Sequence, residues 1–302
     1  MTFEILLMQA FNGLSLSTVL VLMALGLAIV FGLMGVINMA HGELMAMGAY
    51  TTYATALLFE KFMPGLKDIY FLIGIVAAFA VTFVFGFALE RGLIRFLYKR
   101  PLDTMLATWG LSLILQQVFR HVFGPKEVGV PTVSWLRGAW APAALPGASF
   151  PLSRIFIIAL ALLVSFGVYL LLFRTRWGLR IRAVTQNRAM AGAAGINTER
   201  VDALTFALGC GLAGIAGSSF TMLASTGPVT GQQYVVDTFI VVVFGGVESL
   251  LGTLLSATII GELQSTFEFL MTGSMAKASI LLLVIVALYF RPNGLFASKV
   301  RR

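Results

Sequence analysis

Residues Ile155 to Phe173 read IFIIALALLVSFGVYLLLF, bounded by Arg154 and Arg174 and free of any charge between them. A helix crossing the hydrocarbon core of a bilayer needs about 20 apolar residues, because every backbone polar group inside must be satisfied within the segment. This run meets that requirement, and the rest of the chain repeats it. Eight further apolar runs flank it: Leu14 to Ile37, Leu44 to Phe59, Ile69 to Leu89, Thr104 to Phe123, Val201 to Ala224, Val235 to Val247, Leu250 to Met271 and Gly273 to Phe290. The second and seventh of the nine runs are short and can be read as half-helices or re-entrant segments, so eight to ten spans are compatible with the pattern. The expected fold is an all-α polytopic membrane bundle of about nine segments, one domain over residues 1–302.

Composition agrees. The chain of 302 residues is 59% hydrophobic and 11% charged, with a mean hydropathy of +0.93; soluble domains carry about a quarter charged residues. No stretch is polar enough for a separate soluble domain. The net charge of +8 does not indicate nucleic acid, because the cations sit in short gaps between apolar runs. Arg91, Arg95, Lys99 and Arg100 share one gap; Arg174, Arg176, Arg180, Arg182, Arg188 and Arg200 share another; Arg291, Lys299, Arg301 and Arg302 close the chain. These are fourteen of the 21 Lys and Arg residues, and nine crossings put them all on one face. Basic loops stay cytoplasmic, so the N-terminus is expected outside and the C-terminus inside. A Val235 to Val247 segment that only dipped into the membrane would put Arg291 to Arg302 outside, against that rule. The N-terminus lacks a basic leader and carries Glu4, so the first run reads as a retained span. A lone cysteine, Cys210, allows no intrachain disulfide and no metal cluster, and no cofactor is expected.

The outer gap Gly124 to Pro151 holds Pro125, Pro131, Pro142, Pro146 and Pro151 with Trp135 and Trp140. It reads either as an ordered lid at the interface or as a docking surface for an external partner. The pairing of Val30-Phe31-Gly32 with Val243-Phe244-Gly245 is short enough to arise by chance in so apolar a chain.

Polar residues inside spans are costly and mark candidate function. Asn38, His41 and Glu43 lie in a break between two apolar runs, where Gly42 permits a tight turn. His-Gly-Glu is not a zinc-protease pattern, and His41 reads as structural. Gln116, Gln117 and Arg120 follow in the fourth run, Asp237 in the seventh, and Glu262, Gln264 and Glu268 in the eighth. Each alone reads as interhelical glue. Together Asn38, Glu43, Gln116, Gln117, Asp237, Glu262 and Gln264 are candidates for a polar path or gate. Gly209, Gly211, Gly214 and Gly217 form a stripe suited to close helix packing, whereas the paired Gly245 and Gly246 suggest a helix break.

The cytoplasmic segment Arg174 to Thr198 carries an N-cap signal at Asn187 and a C-terminal stop at Gly195 around a short alanine-rich helix. Its small side chains suit a groove on another protein. A phosphate-binding Gly-x-x-x-x-Gly-Lys-Ser/Thr loop does not occur in the sequence, so any ATP-driven step belongs to other chains.

Gly35-Val36-Ile37-Asn38-Met39-Ala40-His41-Gly42-Glu43, with Gly48-Ala49-Tyr50, resembles the opening signature of ABC-transporter permeases for branched-chain amino acids, and Gly178 to Ile196 resembles their cytoplasmic coupling region. The resemblance covers nearly the whole chain. It implies a transport subunit rather than an enzyme, working in the inner membrane with a second related permease, two cytoplasmic ATPase subunits and an external solute-binding protein. It also implies that Thr185, Gln186, Asn187, Arg188, Ala191, Gly195 and Ile196 face the ATPases, with Arg188 as a surface charge and Ala191 seated in a groove. Within the family, Thr185-Gln186-Asn187-Arg188-x-Met190-Ala191, the Gly227 to Asp237 stretch and the Val241 to Val247 stretch are similar to the urea and short-chain amide branch; Glu248-Ser249 departs from the Gly-Asn expected there. The expected substrate is therefore urea or a short amide, whose path needs amide and hydroxyl partners such as Gln116, Gln117, Gln264 and Thr238. A branched-chain amino acid permease of the same family and a passive small-solute channel are the alternatives.

Overall fold

The computed structural model describes residues 3–98, 100–141 and 148–296. Lys99, Lys299, Arg301 and Arg302 of the orienting cations, and Pro142 and Pro146 of the outer gap, lie outside the described residues. The protein is about 80% helical. Among the described residues the helices are α1 (Phe3–Leu27), α2 (His41–Phe62), α3 (Tyr70–Gly92), α4 (Pro101–Phe123), α5 (Leu152–Arg174), α6 (Arg176–Gln186), α7 (Arg188–Ala193), α8 (Thr198–Phe220), α9 (Thr230–Gly245), α10 (Leu250–Leu270) and α11 (Gly273–Phe290). Each of the nine apolar runs holds one long helix. Five helical stretches among the described residues are long and apolar enough to cross a bilayer unaided: Glu4–Leu33, Pro64–Phe96, Leu152–Arg174, Thr198–Phe220 and Gly273–Phe290. A π-helical stretch, Ala28–Leu33, extends α1 without interruption. The bundle is not purely helical: β1 (Ala139–Trp140) and β2 (Phe150–Pro151) pair antiparallel in the connector between α4 and α5.

Position in the bundle follows from side-chain size. α8 is the central element, packed against α1, α2, α3 and α6, and its glycine stripe is the reason. A Cβ added at Gly209 would lie 2.7 Å from the Gly26 carbonyl oxygen of α1, and one at Gly214 would lie 2.6 Å from the Ala78 carbonyl oxygen of α3. At Gly217 the same atom would fall 1.8 Å from the Met45 carbonyl oxygen of α2. Three neighbouring backbones thus touch α8 where it has no side chain. This is how helices associate when lipid offers no hydrophobic drive between them. Cys210, fully buried, fills the space left by Gly86 of α3. The periphery is the reverse: Leu162, Leu163 and Phe166 of α5 and Leu281, Leu282 and Ile285 of α11 are exposed. Apolar surface on this scale belongs in lipid.

Among its described residues the connector between α4 and α5 is tied down to the bundle. Asp68 accepts from the Ser134 N–H at 2.9 Å, and its carbonyl accepts from Trp135 Nε1 at 2.8 Å. Tyr70 donates to the Pro131 carbonyl, and Val128 exchanges both backbone hydrogen bonds with Thr226 at 2.9 Å, joining the connector to the α8–α9 loop.

Candidate functional site

The break after the first run is made at Gly35, not at Gly42. Gly35 takes φ +69°, a conformation that side chains disfavour, and the chain stays non-helical until α2 begins at His41. Gly42 lies in the first turn of α2, so its expected role as a turn residue is corrected. It serves a crossing instead: a Cβ there would sit 2.0 Å from the Gly231 carbonyl oxygen in the first turn of α9. Two helix N-termini therefore meet backbone to backbone. They meet inside the bundle. His41 Nε2 donates to the Met23 carbonyl of α1 at 3.1 Å, and Gly26, which touches the His41 ring, packs on Gly209 at the midpoint of α8.

Asn38 shapes the entry to α2. Its Oδ1 accepts from the Ala40 N–H at 3.1 Å and its carbonyl from the His41 N–H at 3.2 Å. The Met39 N–H donates to Thr108 Oγ1 of α4 at 3.0 Å. One turn further on, Glu43 is completely buried. Its Oε1 accepts from Ser112 Oγ at 3.1 Å and from Gln116 Nε2 at 2.9 Å. Gln116 Nε2 also reaches Gln232 Oε1 of α9 at 3.3 Å. The other carboxylate oxygen of Glu43 and the Nδ2 of Asn38 are buried without a protein partner. A carboxylate in the first turn of a helix is favoured by the helix dipole. An acceptor without a donor is thus left on Glu43, where α2, α4 and α9 converge, and a donor without an acceptor on Asn38 at the entry to α2.

The expected path residues separate in space. Glu43 and Gln116 come together, and Asn38 lies at the entry to the same helix, bonded to Ala40 and His41. Gln117 does not: it lies exposed on the outer face of α4 beside Leu113, Ile114 and Val118, because residues one apart on a helix point about 100° away from each other. Asp237 is tied to Lys277 of α11 at 2.8 Å, an ion pair between α9 and α11. Gln264 donates to Glu268 at 2.9 Å on an exposed turn of α10, and the carboxylate of Glu262 lies against Gly13 of α1, away from the Glu43 cluster. Thr108, Ser112 and Gln232 were not anticipated. Their signal was present: Thr104, Thr108, Ser112 and Gln116 recur every four residues and are all buried, a polar stripe on one face of an otherwise apolar helix.

On the opposite side of the sequence break, α9 ends at Gly245, and Gly246 takes φ +97°. In the segment between α5 and α8, Asn187 Oδ1 caps α7 by accepting from the Met190 N–H at 3.0 Å. α7 closes with Gly195 at φ +81° and an Ile196 N–H to Ala191 carbonyl bond of 3.0 Å. Thr185, Gln186, Asn187 and Gly195 are exposed. Ala191 is 5% exposed and packs into the protein's own core, which corrects its expected placement in a partner's groove. The projecting side chain is Met190, 67% exposed.

Interrupted helices that meet at a buried polar cluster inside a lipid-facing bundle define a multi-pass membrane permease. The chain belongs to the family described as branched-chain amino acid transport system / permease component, which matches residues 9–288. It is similar to the high-affinity branched-chain amino acid transport system permease protein BraD of Pseudomonas aeruginosa, 30% identical over 96% of this chain and 95% of that protein. It is 28% identical to LivH of Escherichia coli K12, a permease protein of the same description, over 96% of this chain and 94% of the relative. The ribose import permease protein RbsC of the same strain is 25% identical over 91% of this chain and 84% of its own length. No solved structure matches. The protein is a multi-pass inner-membrane permease subunit.

Proposed function

We propose that this chain is the membrane-spanning subunit of an ATP-driven importer that carries an apolar amino acid past Glu43. It crosses the membrane nine times through α1–α5 and α8–α11, with the N-terminus outside. It works with a second related permease, two cytoplasmic ATPases and an external binding protein. The names of the relatives support the transport class, and the alternation of basic gaps supports the orientation.

The observation that carries the substrate reading is that a buried carboxylate oxygen of Glu43 and, five residues before it, the buried amide of Asn38 both lack a protein partner. Urea is neutral and needs hydrogen-bonding groups without fixed charge. A zwitterion brings an ammonium and a carboxylate, whose burial is expensive without compensation. Glu43 compensates the first. Asn38 Nδ2 and the N-terminal ends of α2 and α9 suit the second, as interrupted helices do in other transporters. The urea expectation drawn from Thr185 to Arg188 and Gly227 to Asp237 finds no support in the relatives described above, which are named for amino acids or ribose. In the complete complex reconstituted with its own binding protein, labelled leucine is taken up in an ATP-dependent, vanadate-sensitive manner and urea is not. Uptake of urea without leucine overturns the amino-acid reading, and uptake of either without ATP overturns the importer.

α7 is the ATPase-docking element in this reading, and its anchor is Met190. A methionine exposed on a short capped helix suits an apolar groove. Met190→Glu places a charge where that groove must be desolvated. We expect the ATPases to be lost from the purified complex, with the permease still inserted. Retention of the ATPases at parental stoichiometry would assign the docking elsewhere.

A further inference from the structure

Arg188 was expected to be a surface charge facing the ATPases, and its side chain is half exposed. Its guanidinium turns back on its own chain. Arg188 Nη2 lies 2.8 Å from Asp202 Oδ2 in the second turn of α8, where the carboxylate side chain is only 10% exposed. The guanidinium also sits 5.3 Å over the Tyr98 ring, and the Tyr98 hydroxyl donates to the buried Glu90 of α3 at 2.8 Å. Three residues before Asp202, Glu199 pairs with Arg95 at 2.7 Å. A cation on α7 is thus joined to the one helix whose backbone touches α1, α2 and α3 directly. A cavity of about 160 Å³ adjoins the pair, lined by Tyr98, Thr185, Thr205 and by Leu33 and Met34. The last two are the residues from which the chain leaves α1 on its way to Asn38.

We propose that Arg188 is a positioning residue that links α7 to α8 through Asp202, making α8 the lever that carries ATPase movement to the Glu43 cluster. The proposal rests on the docking role of α7. At Gly217 a Cβ would meet only backbone of α2, the Met45 carbonyl and the Ala49 nitrogen, so displacement of the cytoplasmic end of α8 is passed to α2 as a unit. α2 carries Glu43 in its first turn. The pair also has the chemistry of a link rather than a docking contact. One member is buried and the other half exposed, and such a pair contributes more than a fully exposed one.

The test uses the reconstituted complex and reads solute transported per ATP hydrolysed. Arg188→Gln and Asp202→Asn each retain bound ATPases and hydrolysis within about twofold of the parent, while uptake falls about tenfold. The reversed pair, Arg188→Asp with Asp202→Arg, recovers uptake to within about threefold. A contact with an ATPase cannot be rescued by a change within the permease, and a merely structural role lowers uptake and hydrolysis together. Parental uptake in both single variants overturns the link, as does a reversed pair no better than the weaker single variant. If the reversed pair does not insert, Arg188→Lys decides: uptake well above that of Arg188→Gln supports the link, and equal uptake overturns it. Loss of the docking reading is seen separately, as Met190→Glu complexes that keep their ATPases.

Discussion

Glu43→Gln leaves the protein folded and bound to its ATPases but lowers amino-acid uptake by about a hundredfold or more. Glutamine has the size of glutamate, and its carbonyl oxygen still accepts from Ser112 and Gln116, so the junction of α2 and α4 is kept. What disappears is the charge. A buried ammonium deprived of its counter-charge costs about 3–5 kcal/mol, and each 1.4 kcal/mol is about a factor of ten. The measurement is uptake of labelled leucine in proteoliposomes, with ATPase co-purification as the control for assembly. Parental uptake by Glu43→Gln would reduce Glu43 to a hydrogen-bonded spacer and remove the main argument for a zwitterionic substrate. The same variant tests urea, because a neutral solute needs only the hydrogen bonds that glutamine retains.

Gly217→Leu prevents assembly of the bundle. The first side-chain carbon alone would lie 1.8 Å from the Met45 carbonyl oxygen and 2.8 Å from the Ala49 nitrogen, both backbone atoms of α2. Overpacking in a core that can adjust side chains costs about 1–3 kcal/mol. Here no side chain can move aside, and α2 must leave α8, so the cost exceeds that range. The yield of monodisperse protein in detergent and its unfolding temperature report the result. Gly167→Ala on α5 is the matched control: a Cβ there meets nothing within 4 Å, and helix propensity favours alanine by about 1 kcal/mol. A Gly217→Leu protein that melts with the parent would show that the α2–α8 contact does not hold the bundle together.

Long-period hydrophobicity located every principal helix because it is a property of contiguous residues. Ile155 to Phe173 lies within α5, and the other eight runs each hold one helix. Register was less legible. Leu44 to Phe59 looked short because α2 starts with His41, Gly42 and Glu43, which are polar or small and yet helical. Hydropathy cannot distinguish a break from a polar first turn. The capping signals of α7 were readable for a related reason: Asn187 and Gly195 act on backbone groups within a few residues of themselves.

The sequence by itself determined a multi-helix membrane protein of this permease family, the placement of its cationic gaps, and the local stops and caps of its helices. These depend on transfer free energy and on backbone geometry within one turn. Only the tertiary structure decided which polar residues meet. Glu43, Gln116 and Gln232 are separated by 73 and 116 residues along the chain; the four-residue stripe sets Gln116 apart from Gln117, but which helices that stripe meets is decided only when α4 is rotated against α2. Arg188 shows the same limit, since its partner could be named only once α7 folds back on α8. A long-range pair is selected by packing geometry, and here that geometry is set by glycines that let three backbones close on α8.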